Sequence, residues 1–169
     1  MAGALIVTAE LVPPDFAWLD ALRRTHFPAE RNWLGAHLTI FHALPPSAES
    51  EVRHALGVMA AEPPPPPASI EGLMDLGGGV AFRVVSVELD RLRGELASRF
   101  RGLLSAQDAG GWRPHVTIQN KVPPSAARAL KGRLEADFRP RPLGISGLAL
   151  QRYLDGPWEK LASYAFRGR

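Results

Sequence analysis

Cysteine is absent from this sequence of 169 residues. Disulfide bridges, iron–sulfur clusters, cysteine-based zinc sites and a cysteine nucleophile are therefore excluded. A chain without disulfides is compatible with a reducing compartment, and we expect a cytoplasmic protein. No apolar run approaches the roughly 20 residues needed to cross a bilayer. The apolar segment from Ala4 to Leu11 lacks a basic region before it, so we expect neither a signal peptide nor membrane association.

Lysine is also scarce, because arginine supplies most of the 20 basic residues. The formal net charge of +3 and the isoelectric point near 9.8 permit a phosphorylated ligand without requiring one. Hydrophobic residues make up 46% and charged residues 22%, which is typical of a globular chain. This length suits about one domain. We expect a single domain over residues 1–169, a monomer without an obligate protein partner.

The hydrophobic pattern repeats one order of elements twice. A strand, a helix, a strand containing histidine, a second helix and a third strand are predicted in each half. Corresponding elements lie about 75 to 78 residues apart, which indicates a duplicated unit with halves near residues 1–77 and 78–169. We predict an α+β fold with two similar lobes. Each lobe has its own antiparallel-type sheet flanked by helices, and the active-site groove lies between the lobes.

Each predicted histidine strand carries the same short motif. The motifs are His37-Leu38-Thr39-Ile40 and His115-Val116-Thr117-Ile118. Side chains alternate between the two faces of a strand, so the histidine and threonine of each motif share one face. The apolar residues between them enter the core. If a pseudo-two-fold axis relates the lobes, both polar pairs face one groove.

Two imidazoles and two hydroxyls suit the chemistry of a phosphodiester. Imidazole has an ordinary pKa near 6.5, so one histidine can be neutral while the other is protonated. The neutral ring removes a proton from the attacking oxygen, and the protonated ring delivers one to the leaving oxygen. A threonine hydroxyl on the same face can donate to a non-bridging phosphate oxygen. None of these steps requires a metal ion or another cofactor.

The two motifs resemble those of the two-histidine phosphoesterase superfamily, which includes 2'-5' RNA ligases and cyclic phosphodiesterases. Its mark is a repeated His-x-Thr/Ser-x with apolar residues at x, and both copies fit without substitution. The resemblance implies that His37 and His115 are the acid/base pair and that Thr39 and Thr117 hold the phosphate. It also implies a substrate with a 2',3'-cyclic phosphate, a 2'-5' linkage or a related nucleotide phosphodiester, such as an RNA end.

A ligase activity would be reversible and independent of ATP, because the sequence lacks a Lys-x-Asp-Gly nucleotidyl-transferase motif. The pattern does not decide which histidine is the acid. A non-catalytic protein that binds nucleotides or RNA ends is the alternative hypothesis. A zinc hydrolase is a weaker one, because a zinc site needs three or four converging ligands and no histidine pair has metal-ligand spacing.

Four further residues are candidates for substrate binding. Phe41 and Gln119 share strand parity with the two motifs, so both are expected to line the groove. Arg113 precedes the second motif and could guide a phosphate. Tyr153 is included because proteins of the resembled family often place an aromatic residue near the cleft in this part of the chain. His42 has the opposite parity to His37 and is predicted to be structural.

Overall fold

The computed structural model describes residues 3–169, so Met1 and Ala2 of the predicted domain lie outside the described residues. It is an α+β fold with one eight-stranded sheet and five helices. The strands are β1 (Leu5–Leu11), β2 (Leu38–Leu44), β3 (Ser69–Asp75), β4 (Val80–Val85), β5 (His115–Gln119), β6 (Arg141–Pro142), β7 (Ile145–Tyr153) and β8 (Trp158–Ala165). The helices are α1 (Pro13–His26), α2 (Glu49–Ala61), α3 (Val87–Arg99), α4 (Ala106–Ala109) and α5 (Pro124–Asp137).

The prediction of two sheets is wrong, because every strand belongs to one antiparallel sheet. Its order is β6-β3-β4-β5-β2-β1-β7-β8. The two motif strands, β2 and β5, are adjacent at its centre and pair where Leu38 lies opposite Val116. Both side chains are fully buried. A hydrophobic pattern identifies strands but not which strand edges meet, and this one pairing joins the two expected sheets.

The two halves of the sequence do not form separate halves of the sheet. Strand β3 follows β2 in the chain but pairs with β4. Strand β7 follows β5 and α5 but pairs with β1. The third strand of each predicted unit therefore pairs with the first strand of the other unit. This exchange is the reason that two lobes, each built from one half of the sequence, are not found.

One face of the sheet carries the hydrophobic core. Leu38 and Val116 belong to the same buried cluster as Leu19 of α1, Val52 of α2 and Leu89 of α3. The helices therefore cover the face toward which the apolar residues of both motifs point. Nothing in the segments between residues 3 and 169 forms a helix long and apolar enough to cross a membrane.

Two buried arginines connect α1 and α3 to the motif strands. Arg93 of α3 donates from Nε to the Ile40 carbonyl of β2 at 3.0 Å. Arg23 of α1 donates from Nη1 to the Thr117 carbonyl of β5 at 3.1 Å. Each helix thus holds the histidine strand of the opposite half of the sequence. A hydrogen bond from a charged donor contributes about 1.5–3 kcal/mol, so these contacts reinforce the centre of the sheet.

Truncating Leu38 to alanine should reduce the free energy of unfolding by about 2–5 kcal/mol, because the side chain is fully buried between the paired strands and the helices. Urea denaturation followed by circular dichroism measures this loss. Val87→Ala is the control, since Val87 is 68% exposed and should change stability by less than about 0.5 kcal/mol. Equal effects of the two substitutions would contradict the central position of Leu38.

Candidate functional site

The pairing of Leu38 with Val116 places the four polar motif residues on one face of the sheet. In an antiparallel register, the residue before Leu38 lies beside the residue after Val116. His37 therefore neighbours Thr117, and Thr39 neighbours His115. Directly opposite Cβ atoms are about 4.5–5.5 Å apart and diagonal ones about 7–8 Å. The two histidines occupy one diagonal of this square and the two threonines occupy the other.

Both histidines are oriented by a carbonyl two residues earlier in the chain. His37 Nδ1 lies 2.8 Å from the Gly35 carbonyl, and His115 Nδ1 lies 2.7 Å from the Arg113 carbonyl. Because a carbonyl only accepts hydrogen bonds, Nδ1 carries the proton in each ring. Nε2 is then the nitrogen free to accept or donate a proton. The same local geometry in both copies presents the same nitrogen to the groove.

The surroundings of His37 favour its neutral form. Burial lowers the pKa of His37 to about 4, although its hydrogen bond to Gly35 opposes the shift. Positive charge on Arg23, His115 and His42 lowers it further. The electrostatic influence of His115 and His42 agrees with the proximity of the three imidazoles. At neutral pH, His37 Nε2 therefore has a free lone pair.

An aromatic surface borders His37. The ring of Trp158 on β8 lies 4.6 Å from the His37 ring, centre to centre, with the planes tilted by 55°. Tyr153, a predicted site residue, lies opposite Trp158 in the β7–β8 pair and so shares its face. Trp33 is 61% exposed and packs against Gly156 in the turn between these strands. A planar base could stack on this surface.

A small cavity opens beside His37. Its volume is about 320 Å³. Thr8, Glu10, Gln151 and Lys160 contribute its polar lining. Lys160 Nζ pairs with Glu10 Oε1 at 2.9 Å, so the charges at this end of the groove are balanced.

Phe41 and Gln119 do not line the groove, which corrects the parity argument for both. Thr39 pairs with Thr8 but Phe41 pairs with Val7, and Thr117 pairs with Ala81 but Gln119 pairs with Val80. One extra residue is thus inserted at the last position of each motif, at Ile40 and at Ile118.

Such a β-bulge reverses the alternation of side chains beyond it. Phe41 is fully buried and packs edge-on against Phe100, with 5.5 Å between ring centres. Gln119 is buried opposite the equally buried Val80, and its Oε1 has no hydrogen-bond partner. Alternating hydrophobicity does not reveal a single inserted residue. The reversal of side-chain direction at Phe41 and Gln119 was therefore not predictable from the sequence.

Arg113 is exposed, and its carbonyl rather than its guanidinium contacts His115. A cation that sequence reasoning missed lies closer to the motif. Arg83 on β4 is directly opposite His115 and is also exposed. Its position beside His115 depends on the pairing between β4 and β5, which the sequence pattern does not show. The His115 side of the groove is therefore basic, whereas the His37 side is aromatic.

Beyond Leu38, β2 separates from β5. Side chains from the segment between α3 and β5 then form hydrogen bonds with backbone groups of β2 that do not pair with β5. Trp112 donates from Nε1 to the Thr39 carbonyl at 2.9 Å. Asp108, on α4, accepts hydrogen bonds from the backbone amides of His42 and Ala43.

Within residues 3–169, no group of three or more histidine, aspartate or glutamate side chains is arranged to hold a metal ion.

The fold and the paired histidine motifs define a protein of the two-histidine phosphoesterase class. The family model of the 2'-5' RNA ligase superfamily matches residues 11–157. The chain belongs to this superfamily, which confirms the resemblance drawn from the two motifs. No curated protein sequence matches it.

Solved structures share the whole fold at low sequence identity. The protein TT0787 of Thermus thermophilus has a TM-score of 0.67 at 19% identity, with 98% of this chain and 99% of that chain covered. E. coli LigT complexed with NADP+ has a TM-score of 0.64 at 17% identity, and LigT complexed with 3'-AMP has 0.63 at 16%. Both LigT comparisons cover 98% of this chain and 99% of the other.

The two carbonyl contacts predict a specific tautomer for both histidines. In long-range ¹H–¹⁵N spectra at a pH of about 8.5, where an ordinary imidazole is neutral, His37 and His115 should both show Nδ1 protonated. His37 should titrate with a pKa of about 4, because its burial opposes the charged form. Titration of His37 near the ordinary value of about 6.5 would contradict this description of its surroundings.

Proposed function

We propose that the protein is a metal-independent phosphodiesterase that acts on 2',3'-cyclic phosphates or 2'-5' linkages of nucleotides or RNA ends. The observation that carries this proposal is the diagonal placement of His37 and His115, each with its Nε2 free. A phosphorus atom over the centre of the square would have one imidazole on each side. Its non-bridging oxygens would then lie near Thr39 and Thr117, whose hydroxyls can donate to them.

In hydrolysis of a cyclic phosphate, we assign the base to His37. Its neutral Nε2 takes a proton from water as the water oxygen bonds to phosphorus. The bond from phosphorus to the 2' or 3' oxygen breaks, and His115 Nε2 gives that oxygen a proton. The products are a phosphate monoester and a free ribose hydroxyl, with His37 protonated and His115 neutral. Proton exchange with solvent restores both rings.

The same groups would join two RNA ends without ATP. The 5' hydroxyl of the second end replaces water as the nucleophile: its oxygen bonds to phosphorus and gives its proton to His37, while the bond to the 3' oxygen breaks and His115 protonates that oxygen, which leaves a 2'-5' linkage. In the reverse reaction, which cleaves this linkage and restores the cyclic phosphate, the two histidines exchange roles. No nucleotide activation is needed, because the cyclic phosphate already contains the bond that is exchanged. Hydrolysis and ligation are therefore attacks by two different nucleophiles on the same cyclic phosphate.

Nucleotides are supported as the substrate class by two observations. LigT, which shares the fold, has been solved with 3'-AMP, NADP+ and ATP. In this chain, Trp158 beside His37 offers a surface on which a base can stack while the phosphate lies over the square. We further propose that the chain acts as a single-domain monomer in the cytoplasm, without a cofactor.

Replacing either motif histidine with alanine should abolish most turnover of a 2',3'-cyclic mononucleotide. Each acid or base contributes about 10²–10⁴-fold, so His37→Ala and His115→Ala should each reduce kcat by at least that factor. The assay follows release of the phosphate monoester by chromatography. His54→Ala is the matched control, because His54 is an exposed residue of α2 and should leave kcat unchanged.

The same assay with EDTA separates the alternatives. Undiminished turnover supports metal independence, whereas inactivation by EDTA indicates a metal hydrolase. Binding of cyclic nucleotides without turnover, across a panel that includes 2'-5' linked dinucleotides, would favour the non-catalytic binding protein.

The pH dependence of kcat/KM tests the assignment of the base. A base must be neutral to act, so activity is lost only as pH falls through the pKa of His37, near 4. The acid limb should therefore lie about two pH units below that of an ordinary imidazole. Circular dichroism at each pH checks that the protein is still folded. An acid limb near pH 6.5 would indicate that His37 is not the base.

A further inference from the structure

His42 lies on the groove face of β2, contrary to its prediction as a residue of the opposite face. The bulge at Ile40 turns Phe41 into the core, so the next residue points to the groove. The imidazole of His42 keeps 34% of its surface exposed. It also lowers the pKa of His37 by its positive charge, which agrees with its position near the square.

A buried carboxylate holds the His42 ring in place. His42 Nδ1 lies 3.0 Å from Asp108 Oδ1, and the Asp108 side chain has no exposed surface. Burial alone raises the pKa of Asp108. The hydrogen bonds from the His42 ring and from the amides of His42 and Ala43 outweigh that effect and keep the pKa below its ordinary value. Asp108 is therefore ionised at neutral pH, and an ionised carboxylate only accepts hydrogen bonds.

This contact determines which nitrogen of His42 is available. Nδ1 must carry the hydrogen that Asp108 accepts, so Nε2 is the atom left for a ligand. When both ring nitrogens carry a proton, Nε2 can donate to an anion. A donor fixed by a buried carboxylate requires little reorganisation when an anion binds. No step in the proposed reaction uses this third imidazole.

We propose that His42 is a specificity-determining residue that binds a second phosphate of the substrate through Nε2. The inference rests on the proposed function. Thr39 and His42 are successive groove-facing positions of β2, with the bulge at Ile40 between them. The reacting phosphate belongs over the square, so an anion at His42 must be a neighbouring group. The substrate class is then a nucleotide that carries a 5' phosphate in addition to its 2',3'-cyclic phosphate.

The charges around His42 are compatible with this ligand. Arg83 is exposed on β4, opposite His115, and Arg113 is exposed just before β5. Arg93 lies beneath the strand, where it donates to the Asp108 carbonyl at 2.8 Å. The acidic partner of His42 is the buried Asp108, so its carboxylate does not itself meet the ligand. A polyanionic substrate would therefore extend from the square toward the basic side of the groove.

The test compares adenosine 2',3'-cyclic phosphate with its 5'-phosphorylated form. His42→Asn keeps a side-chain amide that can donate to Asp108 from the place of Nδ1, but it removes the outer nitrogen. The ratio of KM for the phosphorylated substrate to KM for the unphosphorylated one should rise about tenfold or more, as expected for loss of a charge-assisted hydrogen bond. His42→Gln, which can place an amide near the position of Nε2, should recover part of the ratio. His54→Asn is the control.

The outcomes are distinct. An unchanged KM ratio in His42→Asn, with the wild-type protein active on both substrates, overturns the role of His42 and leaves the proposed function standing. A wild-type protein that turns over neither substrate overturns both proposals. An equal rise of KM for both substrates would also overturn the inference, because it indicates a structural change in the groove rather than recognition of the 5' phosphate.

Discussion

The pairing of Leu38 with Val116 is the contact on which the candidate site depends. It places two segments that lie 78 residues apart in the sequence side by side, and it determines that their polar residues share a face. The strands pair at this position alone and then separate. Arg93 and Arg23 hold the separating strands by hydrogen bonds to the carbonyls of Ile40 and Thr117. The narrow contact and the reciprocal arginines together keep the histidines adjacent while the groove remains open.

The bulges at Ile40 and Ile118 determine which side chains face the groove. A regular alternation would have left Phe41 and Gln119 on the groove face, where a phenylalanine ring would crowd the space beside Thr39. The inserted residues turn both side chains toward the helices, and Phe41 gains the contact with Phe100. The core thereby acquires a large aromatic residue from a strand that also carries catalytic candidates. The same shift brings His42 back to the groove.

The local elements were predictable from sequence because hydrophobic periodicity and turn residues determine them locally. Each half has the predicted order of a strand, a helix, a motif strand, a second helix and a third strand. Pairing was not predictable in the same way. The single sheet, the exchange of β3 and β7, and the position of Arg83 beside His115 all depend on which strand edges meet. Asp108 could not be connected with His42 because the two are 66 residues apart and no local pattern relates them.

The two copies of the motif lie in different surroundings. Both rings have Nδ1 fixed by a carbonyl two residues earlier, so the backbone supplies the same tautomer twice. Acid–base catalysis nevertheless requires one neutral and one protonated imidazole, and such a difference must come from the surroundings. His37 lies against Trp158, and burial lowers its pKa, whereas His115 lies opposite the exposed Arg83. The backbone geometry of the two motifs is thus the same, and the groups around them distinguish His37 from His115.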